Sequence, residues 1–575
     1  MFRKLLSYLG TYKKAAILAI FCVTTEVAFE LIIPFIMADI LDIGVATGNR
    51  EYIISRGVLM LICSLIALGL GIGSAYFSAL AGQGLGAELR KAEYRKIQSF
   101  SFANTDKFRT SSLITRLTSD ITTIQTSFST GLRPACRAPI MMIMALGLSV
   151  YINWKLALVF FIGAPTLGLL LFFIIRKVRP LYASMQGAID LVNRVIQENL
   201  TAVRVVKAYV RGDYEMQKFY EVNQNWRGIS EKAFRLASMN MAAMQLVMYT
   251  TILCILWFGG QMILGGTMQV GELTGFLSYV LQVLNSLMMI SNVFLMLTRS
   301  LTSGKRIMEV MEEKVTLTDD DAQDIRVERG EIVFDHVSFK YKEKAKEKVL
   351  SDISFHIKAG QTVGIIGQTG AAKSTLVQLI PRLYDATEGQ IYIDGKPIQH
   401  YPLKHLRDSI AMVLQKNTLF SGTVKENLRW GKEDATEKEI EEACAIACVD
   451  EFIDRLKDGY DTELGQGGVN VSGGQKQRLC IARAILKRPK VLILDDSTSA
   501  VDTATEGKIR EGLAKTLADT TKIIIAQRIT SVLHADQIII LDEGKINAIG
   551  DHETLLKSNE IYQDIYYSQQ EGAGL

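Results

Sequence analysis

The sequence predicts two unlike parts on one chain: an α-helical membrane domain of six spans, then a soluble α/β domain with a parallel sheet. Three observations carry this prediction. Of the 575 residues 49% are apolar, yet 22% are charged, and the mean hydropathy is +0.18, which excludes a disordered chain and a simple soluble enzyme. The charges are unevenly spread, because none falls in 57–87, 138–154, 156–175, 236–271 or 273–298. Each window is about as long as the roughly 17–25 apolar residues that cross a bilayer. Beyond Thr298 short apolar strands alternate with helical stretches, the pattern of a parallel α/β sheet. A net charge of +4 is too small to argue for nucleic acid as a partner.

The first span, 15–37, is apolar apart from Glu26 and Glu30, and it is too long for a signal-peptide core. Orientation follows from the basic residues. The N-terminus, loop 88–137 and loop 176–235 hold 24 Lys and Arg, whereas the alternate loops hold only Arg50, Arg56 and Lys155. Basic loops stay in the cytoplasm, so both termini and both long loops face inward, as in a multi-pass plasma (inner) membrane protein. Each long loop keeps a helical periodicity, and at 1.5 Å rise a helix of about 30 residues reaches some 40 Å from the bilayer. Turns are expected near Asn104–Thr110 and Gly212–Glu215, where helix-poor residues cluster.

Acids are costly in hydrocarbon, so Glu26 and Glu30, four apart and on one helix face, are candidates to line a substrate cavity. The alternative is that they bond Thr24, Thr25 or a neighbouring helix. Gln245, Gln282, Asn285 and Asn292 could share that cavity or hold helices together. Glycines 69, 71 and 73 read as close-packing positions. Of seven cysteines none lies in the short outer loops, so disulfides are not indicated. Cys444 and Cys448 stand one helical turn apart without a second ligand pair, and read as buried helix cysteines. The expected partition is a membrane domain at 1–310, a linker at 311–328 and a soluble domain at 329–575.

In the soluble part, EIVFDHVSF, KVLSDISFHI, TVGIIG, VLILDD and KIIIAQ read as strands. TVGIIG runs into Gly367-Gln368-Thr369-Gly370-Ala371-Ala372-Lys373-Ser374-Thr375, close to the P-loop pattern G-x-x-x-x-G-K-[ST] between strand and helix. Its backbone N–H groups would wrap phosphates, Lys373 would reach the β and γ oxygens, and Ser374 would hold Mg²⁺. Ala372 replaces the last glycine; its methyl either crowds the phosphate or penalises a left-handed backbone by roughly 1–2 kcal/mol. About 120 residues on, the buried strand 491–494 delivers Asp495 as a second magnesium ligand. Between them Ser472-Gly473-Gly474-Gln475 opens a helix, where unsatisfied N–H groups and the dipole make an anion site.

In this order and spacing the three motifs identify the soluble part as resembling the nucleotide-binding domain of the ABC transporter superfamily. The whole chain is similar to a half-transporter of the multidrug ABC exporter type. The fold implied is an α-helical six-span transmembrane domain of the ABC exporter type plus an α/β P-loop NTPase nucleotide-binding domain. The resemblance implies ATP and Mg²⁺ as cofactors, Tyr341 as the aromatic that stacks on adenine, and Gln415 as a further magnesium contact that also touches the membrane domain. It implies Thr462–Gly468 as the X-loop and Asp502 as the D-loop residue, with coupling helices at the two cytoplasmic turns. It also implies a dimer, with each ATP held between one chain's Walker motifs and the other's signature.

Three positions depart from the family on the Walker side. Asp496 stands where active members carry a catalytic glutamate, Gln527 where they carry a histidine, and Ala372 in the P-loop. The signature Ser472–Gln475 is intact. The expected assembly is therefore a heterodimer whose other, non-identical half-transporter brings the consensus glutamate and histidine, while this chain's site holds ATP with little hydrolysis. The expected cargo is a small hydrophobic or cationic compound taken from the cytoplasm or inner leaflet. The competing readings are a homodimeric lipid or peptide exporter with slow ATPase, and an ATP-gated regulator or channel.

Overall fold

The computed structural model describes residues 2–342 and 345–572. It divides into two compact units: residues 1–97 with 111–312, and residues 98–110 with 313–575. The first is all helix, built from α1 (Lys13–Asp39), α2 (Arg50–Gln98), α3 (Ile121–Ile152), α4 (Trp154–Thr201), α5 (Gly212–Leu264) and α6 (Val270–Met311). Among the described residues five helices are long and apolar enough to cross a membrane. The sixth expected span, 156–175, lies within α4, where several side chains lie outside the described residues. The apolar window 236–271 proves to contain a helix end, since α5 stops at Leu264 and α6 starts at Val270. The carboxylate of Asp42 accepts the N–H groups of Gly271 (2.5 Å) and Glu272 (3.0 Å), satisfying orphan donors at the start of α6.

Helices α3 and α6 pack side by side, whereas α4 and α5 pack mainly against each other. Tyr279 on α6 is fully buried and donates its hydroxyl to the Leu31 carbonyl at 2.7 Å, pinning α6 to α1 one turn before Pro34. At 49 and 53 residues, α2 and α5 are about 75 Å long, so each leaves the bilayer far behind. The first internal turn is the short helix Phe102–Lys107, which overlaps the expected 104–110 region and starts two residues before it. The second falls at 202–211, earlier than expected. Gly212–Glu215 is instead the first turn of α5, where Asp213 and Glu215 favour the positive end of the helix dipole.

The second unit holds β1 (Ile332–Phe339), β2 (Leu350–Ile357), β3 (Thr362–Ile366), β4 (Glu388–Ile393), β5 (Ile410–Val413), β6 (Val491–Asp495), β7 (Thr521–Ile525), β8 (Gln537–Asp542) and β9 (Lys545–Gly550). Strands β3, β7, β6, β5 and β8 pair in parallel, and β9 closes one edge antiparallel, in the order β9-β8-β3-β7-β6-β5. The central strands are buried on both faces, as in IIIA and VLILD, which is why they read as unbroken apolar runs. EIVFDHVSF and KVLSDISFHI belong to a separate antiparallel sheet in which β1 lies between β2 and β4. Their alternating burial reports a sheet with one packed face.

Candidate functional site

Strand β3 ends at Ile366, and helix α7 (Lys373–Gln378) begins after six intervening residues. The loop between them can be built only with particular residues. A Cβ on Gly367 would lie 2.0 Å from the Leu541 carbonyl, and Gly370 sits at φ +91°. Ala372 also adopts a left-handed backbone, φ +67°, so its methyl imposes the backbone strain of roughly 1–2 kcal/mol that a glycine would avoid. The Lys373 ammonium folds back over the loop and donates to the carbonyls of Gly367 (2.7 Å) and Gln368 (2.9 Å). Burial lowers the Lys373 pKa, and the carboxylates of Asp495 and Asp496 oppose that shift.

Parallel pairing of β6 with β7 places Asp495 level with Ile525. Asp495 thereby meets α7, and the Ser374 hydroxyl donates to its carboxylate at 3.0 Å. Burial holds the Asp495 carboxyl above its ordinary pKa; the Ser374 hydrogen bond works the other way. Gln368, Thr369, Ala371, Thr375, Gln415, Asp496 and Gln527 line the same cavity, whose volume is about 520 Å³. Such a cavity is in the range of small-molecule sites. Two hard oxygen donors at its floor and backbone N–H groups around its rim suit a magnesium nucleotide.

Two of the three altered positions face each other. Gln527 donates its amide to the Asp496 carboxylate at 2.8 Å, and Gln415 reaches the same oxygen at 3.5 Å. Asp496 itself has φ +49°, held in place by its N–H bond to the Ile525 carbonyl at 3.0 Å.

Other expected residues stand apart from this cavity. Ser472 caps α8 (Gly473–Leu486) through a reciprocal pair with Gln475: its hydroxyl accepts the Gln475 N–H, and the Gln475 amide oxygen accepts the Ser472 N–H. Gly474 packs against the Ala500 carbonyl, where a Cβ would come within 2.8 Å. Asp502 caps α9 (Thr503–Thr516), accepting the Thr505 N–H at 2.9 Å. Tyr341 lies beside the P-loop helix, its hydroxyl 2.9 Å from that of Thr375. Sequence reasoning missed Gln477, which is buried and ties α8 to the loop before Asp502 by donating to Ser499 (3.3 Å) and accepting from the Ala500 N–H (2.9 Å). Cys444 is buried in a helix as expected, whereas Cys448 is buried in the turn after it, at φ +54°.

In the membrane unit Glu26 and Glu30 make the contact given as their alternative, a bond to a neighbouring helix. Glu26 is only 3% exposed, and its carboxylate accepts from Arg133 and Arg137, both at 2.6 Å, while Glu30 accepts from Arg137 at 2.5 Å. Two residues assigned to a cytoplasmic loop thus lie inside α3 and pair with both acids of α1, while the second Glu26 carboxylate oxygen is buried without a hydrogen-bond partner among the described residues. Thr24 and Thr25 bond the carbonyls of Ile20 and Phe21 instead. The signal was present in the sequence as matched spacing, two acids four apart and two arginines four apart. Gly71 lies against this cluster, and a Cβ there would touch the Glu26 carboxylate at 3.2 Å. Gln282 is half-buried and Asn285 exposed on α6. An apolar cavity of about 250 Å³, lined by Leu85, Phe128, Gly131 and Met296 among others, includes none of these four residues.

Comparison with known proteins agrees with this geometry. Residues 16–287 match the ABC transporter transmembrane region and residues 350–499 the ABC transporter family. The chain is 40% identical over 567 residues, 99% of its length and 98% of the relative's, to "Uncharacterized ABC transporter ATP-binding protein YfiB" of Bacillus subtilis (strain 168). It is 31% identical over 581 residues, 99% of each chain, to "Putative multidrug export ATP-binding/permease protein YgaD" of the same organism. Its fold matches the structure of a bacterial Atm1-family ABC exporter with ATP bound at a TM-score of 0.81, with 24% identity, over 97% of this chain and 99% of that one. The chain is therefore an integral inner-membrane member of the ABC transporter family, with the exporter fold and with its transmembrane region and cytoplasmic ATP-binding domain on one polypeptide.

Proposed function

We propose that this ATP-driven transporter chain is one half of a heterodimeric exporter of hydrophobic or amphipathic compounds, and that its own Walker site holds ATP with little turnover. The observation that carries this reading is the 2.8 Å bond between Gln527 and Asp496. Water attack on the γ-phosphate needs a carboxylate that orients the water and a donor able to meet developing charge. Here the carboxylate is one methylene short and already accepts from an amide that has no cationic form. Ser374, Asp495 and Gln415 would hold Mg²⁺, which would supply neutralising charge at the phosphates. Lys373 would exchange its two carbonyl bonds for phosphate oxygens, and the cap at Ser472 remains complete for a partner's nucleotide.

The arm formed by α4 and α5 supports dimerisation. Its turn leaves Tyr209 76% and Val210 88% exposed, an apolar tip suited to a partner's nucleotide-binding domain. The multidrug name belongs to a relative, and an amphipathic cargo is this chain's reading by that likeness. The decisive test is the ATPase rate of the purified chain, alone and with its three altered positions restored.

The ion cluster on α1 and α3 makes a separate expectation. Glu26→Gln removes a buried carboxylate and leaves the partly exposed guanidinium groups of Arg133 and Arg137 with Glu30 alone as counter-charge, at a cost below the about 3–5 kcal/mol of a fully buried pair because water screens the arginines. The variant is expected to melt at lower temperature and to lose transport of cationic and neutral compounds alike. Matched uptake assays and a melting curve measure this; selective loss of the cationic compound would show that the acid meets the cargo after all.

A further inference from the structure

We infer that Tyr384 is a positioning residue that links the adenine end of the nucleotide site to the first internal turn of the same chain. The inference rests on reading Tyr341 as the adenine-stacking residue. Residues 98–110 belong to the same compact unit as 313–575, and local bonds fix their short helix there. Ser101 and Asn104 cap it reciprocally. Asn104 donates to the Lys314 carbonyl at 2.8 Å, and Lys107 pairs with Glu313 at 2.6 Å.

The helix presents Phe102 and Asp106 to Tyr384. The Tyr384 hydroxyl donates to the Asp106 carboxylate at 2.6 Å, and the Phe102 ring meets the Tyr384 ring edge-on at 6.0 Å. Tyr384 then reaches the nucleotide side, meeting Tyr341 edge-on at 5.2 Å and Phe339 at 5.5 Å. Tyr341 in turn contacts Phe339 at 4.9 Å and bonds Thr375, two residues beyond the P-loop lysine. Tyr384 is 8% exposed, and burial together with the nearby Asp106 raises its pKa, so the phenol keeps the proton it donates.

A single phenol therefore touches both the residue that would stack on the base and the carboxylate of the turn. Closely packed rings pass on a change of position rather than absorb it, and a charge-assisted bond sets the turn's geometry. A base stacked on Tyr341 narrows that ring's freedom, Tyr384 is narrowed through the edge contact, and Asp106 is held more firmly. The phosphates alone bypass this route, because they meet Lys373 and the loop N–H groups. Linkage makes the effect reciprocal: whatever loosens the turn weakens ATP by the same factor that ATP loses in holding it.

Hydrogen exchange on the full chain in lipid nanodiscs tests this, with MgATP compared against magnesium tripolyphosphate, which lacks the base. In the unmodified chain both ligands are expected to slow exchange across the P-loop, but only ATP to slow exchange at residues 102–107. Tyr384→Phe keeps the ring and deletes the bond to Asp106. It should retain P-loop protection by ATP and lose protection of the turn, on the order of tenfold in exchange rate. Equal protection of the turn by both ligands, or unchanged protection in Tyr384→Phe, overturns the link. Absence of P-loop protection in the unmodified chain overturns the nucleotide reading itself, and the link with it.

Discussion

Asp496→Glu combined with Gln527→His and Ala372→Gly is expected to raise the ATPase rate of the purified chain about 10²-fold or more. The unmodified chain alone should turn over almost no ATP. Each change restores a separate requirement. Glutamate extends the carboxylate by one methylene, and a misplacement of about 1 Å in a reacting group can cost on the order of 10²-fold. Histidine replaces an amide that bonds Asp496 at 2.8 Å with a ring that can carry charge toward the γ-phosphate. Glycine at 372 removes a methyl from a backbone at φ +67°. Because Ser472–Gln475 is intact, two restored chains would complete both sites of a homodimer. Brisk hydrolysis by the unmodified chain would sink the degenerate-site reading. A restored chain no faster than the original would show that the Walker side is limited elsewhere.

The second large effect lies on the other face of the domain. In a reconstituted pair, Gly473→Asp is expected to lower ATPase and transport by about 10²–10³-fold, the usual cost of losing a preorganised donor at the phosphate. Asp496→Ala in the same pair should change activity by less than about twofold, a bound set by comparison with that loss. A carboxylate at the start of α8 would put negative charge where the partner's γ-phosphate is to sit, against the helix N–H groups. Ser472→Ala adds a milder test, since loss of the cap costs about 1 kcal/mol of helix stability. If the Asp496 substitution is the more damaging one, this chain's own site carries the turnover and the proposed asymmetry is reversed.

What was legible in the sequence follows from how local each signal is. The P-loop lies between a five-residue strand and a helix in one continuous stretch. Asp495 ends a run of buried apolar residues. Both could be placed without knowing the fold. The Asp496–Gln527 pair was legible as two separate substitutions, and strand order makes them one bonded unit. The two arginines of α3 were lost because counting charges places Arg133 and Arg137 outside the bilayer; only the packing of α1 on α3 supplies their counter-charges. Tyr384 and Asp106 stand 278 positions apart, and neither carries a motif. The second turn was set too late because Gly212 reads as a breaker, although a glycine followed by two acids also suits a helix start.

The ion cluster on α1 and α3 also bears on how the chain is made. An arginine near the middle of a span costs about 2.5–3.5 kcal/mol when a helix is inserted alone, and α3 carries two within a single turn. Helix α1 is synthesised first and holds the acids that neutralise them. Entry of α3 into the bilayer is thus subsidised by a helix already waiting there, and α1 has to stay beside the insertion machinery until about a hundred further residues have emerged. A glycosylation-tagged α3 should insert less often during synthesis when Glu26 and Glu30 are both alanine. Insertion at the normal frequency would mean that α3 enters on its own apolar surface. The same four side chains that pair within the finished transporter would then set the order in which its helices reach the membrane.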